Sequence, residues 1–181
     1  MEQQSLFVKA LKHSDLKEEA FTRLISEYKE RLYWHIRKIV VDHDDANDVV
    51  QNTFVKIYLN VEKFKENSSL YTWMYRIATN ESLNFIKSKA SKMGLQNQEW
   101  IESIANNLTA DPYFDGDETA INLQQQVARL PEKQRIVFNM KYFDKMNYES
   151  ISKILKTSKG ALKASYHHAV KKIKIQLNDG I

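Results

Sequence analysis

From Asn147 to Lys174 the chain reads NYESISKILKTSKGALKASYHHAVKKIK. Asn147 suits an N-cap, because its side-chain oxygen can accept one of the backbone N–H groups that a helix start leaves unpaired. Behind it Ile151, Ile154 and Leu155 recur at helical spacing, which predicts a short helix. Lys156 to Gly160 breaks the pattern, with Ser158 as the next cap. A longer helix follows, with Leu162, Tyr166, Ala169, Ile173 and Leu177 on one side. Lys163, His167, Lys171 and Lys174 fall on the other. A short helix, a tight turn and a longer basic helix make a helix-turn-helix. A helix fits the major groove of B-DNA, where lysines along its outer face reach phosphates on either side. Ser158, Lys159, Ala161, Lys163 and Ser165 are the residues nearest the base edges. A solvated amphipathic helix with a lysine-rich outside is the plainer account of the same residues.

Upstream the pattern stays helical. Leu130-Pro131-Glu132 opens a helix with proline in its first turn, where no hydrogen bond is lost, and Ile136, Val137 and Met140 give it an apolar face. The first ninety residues hold longer stripes. Phe21, Leu24, Ile25, Tyr28, Leu32 and Ile36 form one. Ala46, Val49, Val50, Phe54, Ile57 and Val61 form the second. Trp73, Met74, Ile77, Ala78, Phe85 and Ile86 form the third. Between 88 and about 118 the periodicity lapses, Gly94, Pro112 and Gly116 accumulate, and only Ile101, Ile104 and Leu108 hint at a short helix. The expectation is an all-α protein of two small helical domains, residues 1–90 and 120–181, joined by a flexible acidic linker over 91–119.

Charge divides the chain in the same places. Residues 1–91 carry 14 Lys and Arg against 13 Asp and Glu, residues 92–118 carry 1 against 6, and residues 119–181 carry 12 against 4. A basic C-terminal segment behind an acidic stretch is a candidate polyanion binder. Among 181 residues there are only 4 Gly and 2 Pro, too few for an all-β chain needing a breaker every ~8–12 residues. The absence of cysteine removes disulfides, thiolate metal sites and cysteine nucleophiles together. No apolar run is long enough to span a bilayer, and the first residues lack a signal-peptide pattern, so a cytoplasmic location without membrane insertion is expected.

The first domain also places aromatics beside a polar, basic turn: Phe64, Tyr71, Trp73 and Tyr75 near Lys63, Lys65, Ser68, Ser69, Arg76 and Asn80. Single-stranded nucleic acid is held by stacking and backbone cations together. Aromatics at helical spacing are also ordinary core residues, and Trp73 is expected to be at least half buried. His43, Asp44, Asp45 and Asp48 raise the question of a metal site, but a helix-capping acidic cluster explains them without further ligands. His167 and His168 diverge by about 100° on a helix and cannot chelate together. No phosphate-binding loop, nucleophile elbow or zinc signature is present, so neither catalysis nor a cofactor is expected.

Four segments in order, DANDVVQNTF (45–54), TWMYRIATN (72–80), LPEKQRIVFNMKYF (130–143) and the 147–174 stretch, resemble an extracytoplasmic-function sigma factor of the sigma-70 family. The resemblance spans about 1–90 and 120–176. It implies a bacterial subunit that binds core RNA polymerase, recognises −35 and −10 promoter elements and helps open the DNA. Asp45, Asp48, Gln51 and Phe54 match the segment that docks on the clamp helices of the core. Lys63, Phe64, Ser68, Ser69, Tyr71, Trp73, Arg76, Asn80, Asn84 and Lys87 match the part that reads the −10 element as a single strand, with a base flipped into a pocket. Ser158, Lys159, Ala161, Lys163, Ser165, His167 and Lys171 match the reader of the −35 duplex. An anti-sigma factor is an implied partner, and the acidic linker matches a segment that threads the polymerase near the RNA path. The chain departs from the family where threonine often stands at Ala161 and arginine at Ser165 and His168. Losing those arginines weakens guanine readout, so the −35 sequence does not carry over. The rival reading is a stand-alone dimeric helix-turn-helix regulator, which accounts for 120–181 but leaves DANDVVQNTF and TWMYRIATN without a purpose.

Overall fold

The third stripe builds α4, Leu70–Lys92, which lies at the centre of the molecule. The structure is a computed structural model that describes residues 2–13, 15–108, 111 and 117–178. Around α4 pack α2, Lys17–Val40, and α3, His43–Asn60, each presenting the apolar face its sequence stripe predicts. Leu24, Leu32, Ile36, Ile39, Ile57, Met74 and Ile86 are fully enclosed between them. The first domain also contains α1, Glu2–Lys12, which the stripes did not resolve as a separate helix. It adds Val8 and Leu11 to the core.

The helix ends follow from local chemistry. Asp42 caps α3 by accepting the Asp45 backbone N–H at 2.9 Å, and Ser69 caps α4 by accepting that of Thr72 at 3.1 Å. Between α2 and α3 the chain reverses at Val41, whose φ of 71° is unusual for a β-branched residue. The Asp42 N–H closes a tight turn on the Val40 carbonyl at 3.0 Å. The Val41 side chain is buried in the core of the first domain. Past α4, Gly94 supplies a φ of 68° and the Leu95 N–H returns to the Ala90 carbonyl at 2.9 Å.

The stretch expected as linker contains a helix, α5, Asn97–Ala105. Its start carries a capping box between Gln96 and Glu99, and Trp100, Ile101, Ala105 and Leu108 are buried. Those residues belong to the same core as α4, so apolar burial orders what the loss of periodicity left open. Pro112 and Gly116, which marked the linker in the sequence, lie outside the described residues.

The second domain runs through α6, Glu118–Ala128; α7, Glu132–Phe138; α8, Tyr148–Leu155; and α9, Lys159–Asn178. Pro131 stands one place before α7, as its cap residue, rather than inside its first turn. From Asn139 to Phe143 the helix widens into one π turn, which the sequence pattern did not reveal. Asn147 caps α8 through the Ser150 N–H at 2.8 Å, and Ser158 caps α9 through the Ala161 N–H at 3.3 Å, both as expected. Lys156 takes the left-handed conformation in the turn between them, and its N–H bonds the Ser152 carbonyl. Val127, Leu130, Phe138, Ala169 and Ile173 form a small core of their own. Met140, Met146, Ile151 and Ile154 join the core of the first domain instead. All the regular structure among the described residues is helical, with no strand.

Candidate nucleic-acid interface

A cavity of about 300 Å³ opens where the 64–69 loop meets the start of α4. Lys63, Lys65, Asn67, Ser68, Thr72 and Arg76 line it, with Phe64 and Trp73 at its apolar wall and Lys153 arriving from α8. No carboxylate faces it, so its potential favours an anion, and its amide and hydroxyls supply neutral hydrogen-bonding groups. The loop is held from behind. Lys12 of α1 donates to the Phe64 carbonyl at 2.7 Å, and Lys17 pairs with Glu62 at 2.8 Å. Glu66 turns the loop with a φ of 58°.

Phe64 and Trp73 pack on each other with ring centroids 5.2 Å apart, and both are buried. Trp73 is only 9% exposed, well past the half burial expected. In this arrangement the aromatics stiffen the cavity wall while the polar side chains present its chemistry. Tyr71 packs on Tyr75, centroids 4.2 Å apart, and burial raises both phenols above their ordinary pKa, so both stay neutral. Ser69 is occupied as the cap of α4. Arg76, Asn80, Asn84 and Lys87 follow one another at helical spacing along α4, Arg76 half-buried and the other three exposed. The structure therefore gathers Lys63, Phe64, Ser68, Trp73 and Arg76 at one cavity and strings Asn80, Asn84 and Lys87 along the helix leading from it.

On α3, Asp48 and Gln51 are exposed, whereas Asp45 and Phe54 are buried. Burial lifts the Asp45 carboxyl above its ordinary pKa, against the pull of Lys89, whose ammonium lies 2.8 Å away. Phe54 meets Phe21 edge-on at 6.3 Å. It forms the floor of a groove of about 770 Å³ between α2 and α3, rimmed by Gln51, Val55 and Leu59. Val55 and Leu59 are 57% and 65% exposed, an apolar rim on the otherwise polar outer face of α3. His43, the other member of the acidic cluster, meets the Tyr33 hydroxyl at 2.7 Å and Asn47 at 3.0 Å. Among the described residues no group of His, Asp or Glu is arranged to hold a metal.

On α9, Lys159, Ala161, Lys163, His167 and Lys171 are exposed and Ser165 is half-buried, while Leu162, Ala169 and Ile173 face inward. Lys159 pairs with Glu149 of α8 at 2.6 Å in an exposed ion pair that holds the Glu149 carboxyl below its ordinary pKa. The residues at this interface that sequence reasoning missed are Lys12, Asn67, Thr72 and Lys153. The last is 77 to 90 residues from its cavity neighbours, so no local pattern could have placed it there.

The family model for sigma-70 region 2 matches residues 24–92, and the model for sigma-70 region 4 matches residues 120–173. The ECF RNA polymerase sigma factor SigW of Bacillus subtilis is 27% identical over 180 residues, covering 95% of each chain. The RNA polymerase sigma-H factor of Pseudomonas aeruginosa is 26% identical over 176 residues, covering 93% of this chain and 90% of that one. Among solved structures, CnrH in complex with the cytosolic domain of CnrY superposes with a TM-score of 0.71 at 18% identity, covering 97% of each chain. RpoE of Bartonella quintana, solved with the anti-sigma factor NepR, gives 0.68 at 17%, covering 87% of this chain and 96% of that one. Both region models fall in order on the two halves of a chain that aligns with its relatives almost end to end. The chain therefore belongs to the sigma-70 family and is an alternative sigma factor of the extracytoplasmic-function type, acting in transcription initiation.

Proposed function

We propose a division of labour in which residues 1–90 bind core polymerase and read the −10 element, 91–119 connect, and 120–181 read the −35 element. The observation that carries it is the carboxylate-free cavity at the 64–69 loop, ringed by Lys63, Lys65, Asn67, Ser68 and Arg76. A flipped base enters it, its edge meeting Asn67 and Ser68 and its flanking phosphates meeting the cations. Unstacking a base costs a few kcal/mol, which charge-assisted bonds and contact with the cavity wall offset. Asn80, Asn84 and Lys87 then track the strand along α4. The α9 face of Lys159, Lys163, His167 and Lys171 contacts the −35 duplex, with Ser158, Ala161 and Ser165 nearest the base edges.

The clamp helices of the core dock on α3. Asp48 and Gln51 supply exposed polar contacts beside the groove floored by Phe54, and Val55 and Leu59 supply apolar area. Asp45 acts through its bond to Lys89, fixing α3 against α4. An anti-sigma factor is the regulatory partner, a reading supported by the likeness to a chain solved with NepR. The protein works in the cytoplasm with the polymerase; no helix among the described residues is long and apolar enough to cross a membrane.

Replacing Asp48 and Gln51 together with alanine tests the docking surface. Both side chains are exposed, so melting is expected to shift by less than about 0.5 kcal/mol while affinity for core falls at least about tenfold by fluorescence anisotropy. Unchanged core affinity would place the docking surface elsewhere.

A further inference from the structure

From Glu62 to Glu66 the chain reads EKFKE, two lysines set between two glutamates. Charge that alternates this closely does not say which sign a ligand will meet. The fold sorts it. Lys63 and Lys65 line the cavity at the 64–69 loop, and neither Glu62 nor Glu66 does. Each carboxylate is drawn back by a lysine from where α1 ends and α2 begins. Lys17, the first residue of α2, pairs with Glu62 at 2.8 Å. Lys12, the last of α1, pairs with Glu66 at 3.4 Å. The lysines are the anchored partners. Nζ of Lys17 lies 4.4 Å from the centroid of the Tyr58 ring, and Nζ of Lys12 donates to the Phe64 carbonyl at 2.7 Å. Their side chains are 16% and 29% exposed, against 65% and 48% for Glu62 and Glu66. The backbone also turns at Glu66, φ 58°, between two residues that line the cavity, Lys65 and Asn67. Pairs this exposed add little to stability. What they decide is where the charge lies.

We propose that Lys12 and Lys17 are positioning residues for the −10 strand, holding the Glu66 and Glu62 carboxylates away from the cavity so that it presents cations alone. This rests on the −10 reading above. Neither lysine lines the cavity, so both act through the glutamates they hold. Without them two carboxylates are free to swing beside Lys63 and Lys65 and offset both cations. A phosphate entering the cavity then meets like charge at short range, and the strand is repelled. The loss falls on strand affinity rather than on folding. The −35 face, on α9, is untouched.

Four full-length chains test it, by anisotropy of a labelled short single-stranded DNA of randomised sequence. Lys12→Met with Lys17→Met is expected to weaken strand binding about tenfold. Glu62→Gln with Glu66→Gln in the parent is expected to leave binding within about twofold, because those carboxylates are already held away. All four substitutions together are expected to return binding to within about twofold of the parent. The glutamine pair controls for bulk charge. If the glutamates act only through net charge, removing them strengthens the parent as much as it rescues the methionine pair. That equal gain overturns the proposal. So does a methionine pair that binds like the parent, or one that the glutamines do not rescue. A folding defect cannot produce the rescue, since the glutamines restore none of the lost lysine bonds. If the methionine pair does not fold, Lys17→Met alone keeps the Lys12 bond to the Phe64 carbonyl and carries the test. It is expected to lose about threefold, rescued by Glu62→Gln, and no loss overturns the proposal. Arg76→Ala, at the cavity wall, separates the two readings. If it weakens strand binding while the methionine pair does not, only the role of the lysines falls. A parent chain that binds no strand takes down the −10 reading and this proposal together.

Discussion

The two halves of this chain solve burial differently. The first domain closes on itself: α2, α3 and α4 enclose Leu32, Ile36, Ile57, Met74 and Ile86, and α1 and α5 seal the ends. The second domain has a small core of its own around Leu130, Phe138 and Ile173, while its other apolar face, through Met140, Ile151 and Ile154, lies on the first. A small helical unit buries too little surface to be strongly stable alone. The second domain therefore gains stability by leaning on its neighbour. The first supports itself; the second depends on the contact between them.

The largest effect expected from this contrast comes from core truncation. Leu32→Ala should cost about 2–5 kcal/mol and loosen the whole molecule, because the second domain loses its support. Leu130→Ala, as deeply buried, should expose the amides of α6 to α9 to hydrogen exchange while α2 to α4 keep their protection. Equal loss of protection in both domains would erase the distinction. Next comes DNA binding by the second domain. Lys163→Ala and Lys171→Ala should each reduce the slope of log affinity against log salt for −35 duplex by roughly one unit; an unchanged slope would mean that this face of α9 points away from DNA.

Acid sharpens the comparison at the contact itself. Burial pushes the Asp144 carboxyl up, but His35 and Lys38 together pull it below its ordinary pKa. The unfolded chain thus takes up that proton at higher pH than the folded one. The contribution is whole above about pH 4 and is lost as pH falls through the lower folded value. Melting of the second domain should therefore weaken in acid, and Asp144→Asn should flatten that part of the profile. A variant with the parent's acid profile would assign the titration to other carboxylates. The smallest effect is local. Lys156 pays the left-handed penalty in the α8–α9 turn, so Lys156→Gly should stabilise by about 1 kcal/mol in denaturant melts. A loss of stability there would mean that the lysine side chain contributes more than its backbone costs.

Much of this architecture was legible in local patterns. The stripes from Phe21 to Ile36 and from Ala46 to Val61 are long enough to declare α2 and α3, and Asn147 and Ser158 cap α8 and α9 as their chemistry predicts. α1 escaped because Phe7, Val8 and Leu11 make too short a stripe, and α5 because few apolar residues sit among polar ones. The cavity was half legible. Lys63, Ser68 and Arg76 follow from a basic turn beside aromatics, but Lys153 and the 109-residue reach from His35 to Asp144 depend on domain packing, which no periodicity encodes. The aromatics illustrate the same limit: Trp73 was readable as a core residue, yet whether it stacks on a base or braces Phe64 depends on which side of it the chain folds.

Run-off transcription with bacterial core polymerase on a library of randomised promoters tests the central claim most directly. Defined start sites that require this protein, with shared sequence at −35 and −10, are the expected result. No transcription, together with no binding to core, would contradict it and leave a stand-alone DNA-binding protein in its place.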